Sequence, residues 1–239
     1  MIGKLNRQTV VIDRIIKYFA SAGFNIIFGD EIVLYENNFK KLNVPDDSFI
    51  TMKDATLYLT DEVLLRSHLS TVWIQELTKH KNEPHAFLEI GKVYRHEENT
   101  INTLSVFYQG EGVIIGERIS LADLKGIMQD FVNYMFPNMG EMVFSPWWHP
   151  FTNLGVAINL KCNCGSDINC PICKGVGLID IATAGMINEN ILKVMDIDSK
   201  YSALCFGLGP TRMTQIIENV SLRDLSIPLN KKKKVYYDL

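Results

Sequence analysis

Residues 87–115, FLEIGKVYRHEENTINTLSVFYQGEGVII, decide how the chain is read. FLEIGKVYR (87–95) and NTLSVFYQGEGVII (102–115) are strand-length segments on either side of the polar stretch HEENTIN, the pattern of an antiparallel pair joined by a charged loop. Side chains two apart on a strand share a face. Arg95 and Glu97 therefore fall together at the end of one strand, and Gln109 and Glu111 repeat the spacing on its partner, with Phe107 beside them. The group offers a guanidinium fork, an aromatic platform, an amide and two carboxylates. That inventory suits a charged, planar small molecule, because a guanidinium matches phosphate oxygens bidentately and a carboxylate such as Glu111 holds an ammonium group. A solvated sheet face with ordinary cross-strand ion pairs fits the same pattern.

Working outward, residues 6–21 place Val10, Val11, Ile15, Ile16 and Phe19 near helical spacing and stop before Gly23, which predicts a packing helix. FNIIFGDEIVLY (24–35) reads as β structure crossing Gly29, then a helical turn near Asn37–Leu42 and the turn PDDS. TLYL (56–59) is expected to be a short strand, and Ser67 or Ser70 to cap the helix through Val72, Trp73, Ile74 and Leu77. Leu121, Leu124, Ile127, Met128, Phe131, Val132 and Met135 mark one face of a clear helix. EMVFSPWWHPFT, NLGVAINLK, GVGLIDIATAG and SALCFGLG are strand-length pieces, with helices near Glu189–Met195 and after Gly209. Strands outnumber helices and mostly follow one another directly. The expected fold is α+β, a largely antiparallel sheet flanked by helices, in one domain over residues 1–239 that carries a Cys-rich insertion at 161–175.

With 239 residues, 47% of them hydrophobic, the chain has a sizeable core. No segment approaches the roughly 18 apolar residues of a spanning helix, and MIGKLNRQTV lacks the apolar run of a secretory signal. No membrane partner is expected, and the location expected is cytoplasmic. A net charge of −3 from 24 basic and 27 acidic residues leaves any nucleic acid to local basic patches. Lys231–Lys234 is one such patch or a solvated tail.

Three further patterns carry chemistry. In GLGPTRMTQII, glycines 207 and 209 end a strand, Pro210 fits a first helical turn and Arg212 projects from its start, an arrangement that favours an anion or serves packing. LLRSHLST sets His68 and Ser70 two apart, with no cysteine or acid nearby to complete a nucleophilic triad, so hydrogen bonding to a ligand is expected over covalent catalysis. Four of the five cysteines, Cys162, Cys164, Cys170 and Cys173, form C-x-C-x5-C-x2-C, with Gly165, Pro171 and Gly175 easing the turns. In a reducing compartment such spacing suits a structural zinc ion held by four thiolates, or reduced metal-free thiols.

Taken together, GFNIIFGDEI, NFKKLNVP, LLRSHLS, GKVYRHE, FYQGEG, ISLADLKGIM, HPFT, the Cys-rich loop running into KGVGLIDIATAGM, and FGLGPTR resemble, in order, the catalytic module of class II aminoacyl-tRNA synthetases and in particular the α subunit of bacterial phenylalanyl-tRNA synthetase. The resemblance implies a ligase that activates phenylalanine or a related amino acid with ATP and Mg²⁺ and transfers it to tRNA. It implies Arg95 on the α-phosphate and the attacking carboxylate, Glu97 and Phe107 on adenosine, and Arg212 on the terminal phosphates. Asp180 falls where an acid assists Mg²⁺ or nucleotide. His68, Ser70, Gln109 and Glu111 would hold the amino acid's charged groups, and His149, Phe151 and Cys205 its side chain.

Departures mark the chain's own character. His149 replaces the first phenylalanine of an F-P-F segment, Cys205 an alanine, Thr211 the acid before Arg212, and Thr152-Asn153-Leu154 a T-E-P segment. A polar imidazole near the substrate ring would admit a hydrogen-bonding group. The module begins near Met1, without the family's amino-terminal coiled-coil arm for tRNA. That start favours activation for a non-tRNA acceptor as one alternative, and Thr211, Asn153 and His149 favour another, a non-catalytic binding or regulatory subunit. The region around Gly29–Ile32 implies a homodimer or a β-like partner subunit.

Overall fold

The computed structural model describes residues 6–98, 103–165, 167–170, 172–220 and 225; loop residues 99–102, Pro171 and Lys231–Lys234 lie outside them. Helix α1 (Arg7–Ser21) starts where the Asn6 side chain accepts from the Gln8 amide, and it buries Val11, Ile15 and Phe19. After strands β1 (Asn25–Ile27) and β2 (Ile32–Leu34) come the short helix α2 (Tyr35–Asn38), a 3-10 turn (Lys40–Leu42), strand β3 (Val63–Leu65) and helix α3 (Ser70–Lys79). Strands β4 (His85–Tyr94) and β5 (Val106–Glu117) form the expected antiparallel pair. Helix α4 (Leu121–Met135) opens on a reciprocal cap between Ser120 and Asp123. Strands β6 (Met142–Trp147), β7 (Thr152–Lys161) and β8 (Leu178–Ile187), helix α5 (Glu189–Val194), strand β9 (Tyr201–Leu208) and helix α6 (Pro210–Glu218) complete the order.

The main sheet runs β1-β4-β5-β9-β8-β7-β6. Only β1 and β4 pair in parallel; the other neighbours are antiparallel. Alternation along the strands divides the core in two. Leu88, Ile90, Leu204, Phe206 and Leu208 face α1, α4 and α6, whereas Phe87, Val113, Ile115, Ala203 and Cys205 face α3, α5 and the α2 region. Gly112 permits the tight packing of the first face: a Cβ there would lie 2.1 Å from the Phe206 ring, which stacks on Phe19 at 5.1 Å.

Three sequence expectations need correction. FNIIFGDEIVLY is not one continuous element, because β1 joins the main sheet and β2 pairs with β3 in a separate two-stranded sheet. TLYL is not a strand. Tyr58 makes an isolated bridge to Leu64, flanked by backbone hydrogen bonds from Leu65 to the Leu57 carbonyl and from Leu59 to the Val63 carbonyl, while Thr56 donates to the Ile50 carbonyl and Tyr58 to that of Thr51. Neither Ser67 nor Ser70 caps α3. Leu69 stands at the cap, Ser67 accepts from Asn38, and Ser70 donates elsewhere.

Candidate active site

On the second sheet face the hydrophobic rows give way to polar side chains. Glu89 of β4 pairs with Glu111 of β5, Glu111 with Gly207 of β9, and Gly207 with Thr183 of β8. A cavity of about 220 Å³ opens over this row and is lined by His68, Ser70, Arg95, Gln109, Glu111, His149, Phe151 and Cys205 among others. Eight residues singled out from the sequence thus share one space. Thr183, with Val44 and Ile50 from the segment after α2, also lines it.

The head of α3 brings Ser70 to β5, where its hydroxyl donates to Glu111 Oε2 at 2.7 Å. Burial pushes the Glu111 carboxyl up to about 7, opposed by the Ser70 hydrogen bond. His68 is half-buried, and desolvation with the nearby Arg95 charge lowers its imidazole to about 4, so it is neutral at pH 7. His68 Nδ1 and Gln109 Oε1 are buried without a hydrogen-bond partner. Orphaned polar atoms are costly in a folded interior. Two of them on residues that line a cavity beside the Glu111 carboxylate mark a place for a polar ligand.

Arg95 sits one residue beyond β4, where its amide still pairs with the Ser105 carbonyl. Its guanidinium lies 5.0 Å over the Phe107 ring, and Nε donates to the Ser67 carbonyl at 3.5 Å. Partial burial lowers its pKa, offset by Glu97 and Glu111. The cluster also has a support that the sequence reading missed. Buried Arg66 pairs with Glu89 at 2.6 Å and donates to the carbonyls of Lys92 and Gly29, while the Gly29 amide donates to Glu89. Gly91 makes room for it, since a Cβ there would lie 2.1 Å from the guanidinium. Its signal was an arginine inside an otherwise apolar LLR strand end, which needs a buried acid somewhere.

Four proposed residues lie outside the cavity lining: Glu97, Phe107, Asp180 and Arg212. Phe107 and Glu97 adjoin it through Arg95. Asp180 and Arg212 form a second charged group, in which burial raises the Asp180 carboxyl against the pull of Arg212. Arg212 is fixed by Gln215 Oε1 at 3.0 Å. Thr211 does not reach the cavity. Its hydroxyl accepts from the Tyr108 amide at 3.1 Å and from the Gln8 side chain, tying α6 to β5 and α1.

The Cys162, Cys164, Cys170 and Cys173 sulfurs all lie within 4.8 Å of one another, with Cys162–Cys170 at 3.8 Å and Cys164–Cys173 at 3.2 Å. Tetrahedral zinc with Zn–S near 2.3 Å sets thiolates about 3.8 Å apart, so the four side chains fit that ion. Gly165, Gly175 and Gly177 take positive φ in the loop, as its turns require.

A polar-floored cavity on an antiparallel sheet, with an arginine stacked at its mouth, defines a class II tRNA synthetase core. The chain belongs to the tRNA synthetases class II core domain (F) family, whose model matches residues 1–230. It is 36% identical over 217 residues to the phenylalanine--tRNA ligase alpha subunit of Exiguobacterium sibiricum, a match covering 90% of this chain and 64% of that protein. Its identity to the Anoxybacillus flavithermus protein of the same name is also 36%, covering 90% and 63%. The chain thus spans less than two thirds of the length of these relatives. The crystal structure of pyrrolysyl-tRNA synthetase from Desulfitobacterium hafniense superposes with a TM-score of 0.69 at 15% identity, covering 93% of this chain and 74% of that one, and shares the fold. Among the described residues, no helix is long and apolar enough to cross a membrane.

Proposed function

We propose that this chain is the catalytic domain, over residues 1–239, of a ligase that activates phenylalanine or a related amino acid with ATP and passes it to tRNA, as the names of its relatives indicate. The observation that carries the reading is the convergence of His68, Ser70, Gln109 and Glu111 in one cavity with Arg95 above them. Ionised Glu111 binds the ammonium group, while Gln109 Oε1 and neutral His68 take further polar contacts. Arg95 holds the amino acid's carboxylate against the α-phosphate, with adenine on Phe107 beside Glu97, and Arg212 grips the terminal phosphates. The carboxylate oxygen attacks the α-phosphorus in line, and the bond to the pyrophosphate oxygen breaks. Catalysis is positioning and charge stabilisation, without a protein nucleophile. Asp180 would be an oxygen donor to Mg²⁺, an ion that would supply charge neutralisation at the phosphates. Cys162, Cys164, Cys170 and Cys173 would hold zinc in a structural duty, because four thiolates would leave the ion no open position.

A partner surface accompanies this reading. Phe28 is 81% exposed and Ile32 56%, at the two ends of the surface around Gly29–Ile32 where a second subunit, a copy of this chain or a β-like partner, would pack. A cytoplasmic location is consistent with this chemistry. Amino-acid-dependent exchange of pyrophosphate into ATP tests the reading: exchange is expected with at least one amino acid and should fall by about 10²–10³-fold in Arg95→Ala. Absence of exchange across all twenty would overturn it.

A further inference from the structure

The head-group contacts leave the far end of the cavity to be explained. Glu111, Gly207 and Thr183 are successive cross-strand neighbours on β5, β9 and β8, so Thr183 lies two strand spacings, about 10 Å, along the row from Glu111. Between them is a glycine. A Cβ on Gly207 would meet Thr183 Oγ1 at 3.5 Å and Gln109 Nε2 at 3.9 Å, so the bare backbone leaves a lane from the ammonium-binding end to Thr183. A side chain whose amino group sits on Glu111 runs along that lane.

At its end stands a polar pair. His149, from the segment joining β6 and β7, directs Nε2 to Thr183 Oγ1 at 3.2 Å. Its ring stacks on Phe151 at 4.9 Å and 13°, which fixes the imidazole plane. Phe151, with Val44 and Ile50, contributes apolar lining to the same cavity. Imidazole has two ring nitrogens, and a hydroxyl has one donor and two acceptor sites. Their mutual bond uses one position on each, and neither side chain makes another hydrogen bond among the described residues. A phenyl ring driven into the lane would bury the remaining positions and return nothing, whereas a ring carrying a hydroxyl or a ring nitrogen pairs with them.

We infer that the His149–Thr183 pair makes this site select an aromatic amino acid bearing a hydrogen-bonding atom on its ring over phenylalanine. The inference rests on the proposed amino-acid site for the placement of the head group, and it deepens that reading by naming the side-chain class.

Calorimetric binding of phenylalanine, tyrosine, meta-tyrosine, histidine and the pyridylalanines to the intact chain tests it, with pyrophosphate exchange measured on the same samples. At least one ring-polar amino acid is expected to bind ten- to a hundred-fold more tightly than phenylalanine, the range of about 1–3 kcal/mol for an unpaired buried group. The near-isosteric Thr183→Val should shrink that preference at least fivefold, and adding His149→Phe should bring it to parity or reverse it. A thermal melt identifies any variant that fails to fold, and Thr183→Val alone then serves. Phenylalanine binding as tightly as every ring-polar amino acid overturns the inference; exchange with phenylalanine in that case leaves the activation reading standing. Selective binding of a ring-polar amino acid without exchange does the opposite. No binding of any panel member overturns both.

Discussion

The two faces of the seven-stranded sheet come from the same strands by simple alternation, yet they spend their residues differently. Towards α1, α4 and α6 the strands present Leu88, Ile90, Leu204, Phe206 and Leu208 to helices that cover them, and Phe19 at the centre touches Phe24, Phe131 and Phe206. Towards α3 the rows begin in the same way, with Phe87, Val113 and Cys205, but the next row carries Glu89, Glu111 and Thr183 and ends in a cavity. One face converts burial into stability. The other leaves polar groups unpaired, and so holds interaction energy in reserve for a ligand.

Substitutions should separate the two faces. The largest effect expected is Phe19→Ala, which removes a fully buried ring and should cost about 3–5 kcal/mol, read from denaturant unfolding, with ligand binding by the remaining folded protein little changed. Arg95→Ala should act in reverse: exchange should fall by about 10²–10³-fold while the unfolding midpoint moves little. Equal loss of stability in the two variants would erase the distinction between the faces.

A smaller effect concerns pH. Because burial raises the Glu111 carboxyl to about 7, only the form present above that pH can hold an ammonium group. Amino-acid affinity should therefore rise as pH increases through about 7, by up to roughly tenfold per unit below it. Stability should run the other way. A raised folded-state pKa contributes fully below the ordinary carboxyl value and is lost as pH climbs through about 7. Glu111→Gln should flatten both profiles; an affinity that stays pH-dependent in that variant would point to another group.

The smallest effect on the cavity should come from the cysteine loop, whose Cys170 and Cys173 pack with the opposite, apolar face. Loaded protein is expected to hold one zinc per chain, and Cys164→Ser to lose it, measured by metal analysis. Amino-acid affinity should change less than about twofold, since a structural ion acts on local folding. A larger change would join the loop to the cavity.

Much of this was legible from local pattern. The β4–β5 pair followed from alternation, α4 from its helical stripe, and Arg95, Gln109 and Glu111 from positions on strands that neighbour in sequence. What failed was what long-range partners decide. TLYL has strand propensity, but its pairing with β3 stops at one bridge, and the hydroxyls of Thr56 and Tyr58 bind loop carbonyls. Ser70 looks like a cap and serves Glu111. Arg66 and Glu89 are 23 positions apart, and nothing in their immediate surroundings announces that they meet.

Sequence by itself determined the order of elements, the alternation that gives the sheet two faces, and the clustering of four thiols, because period and spacing are properties of adjacent residues. Only the tertiary structure decided which row becomes a cavity, that Gly207 leaves a lane across it, and that His149 closes the lane against Thr183, 34 positions away. The reason is physical: side chains brought together by strand pairing are neighbours through the sheet's hydrogen bonds, and separation along the chain carries no trace of that proximity until the register is formed.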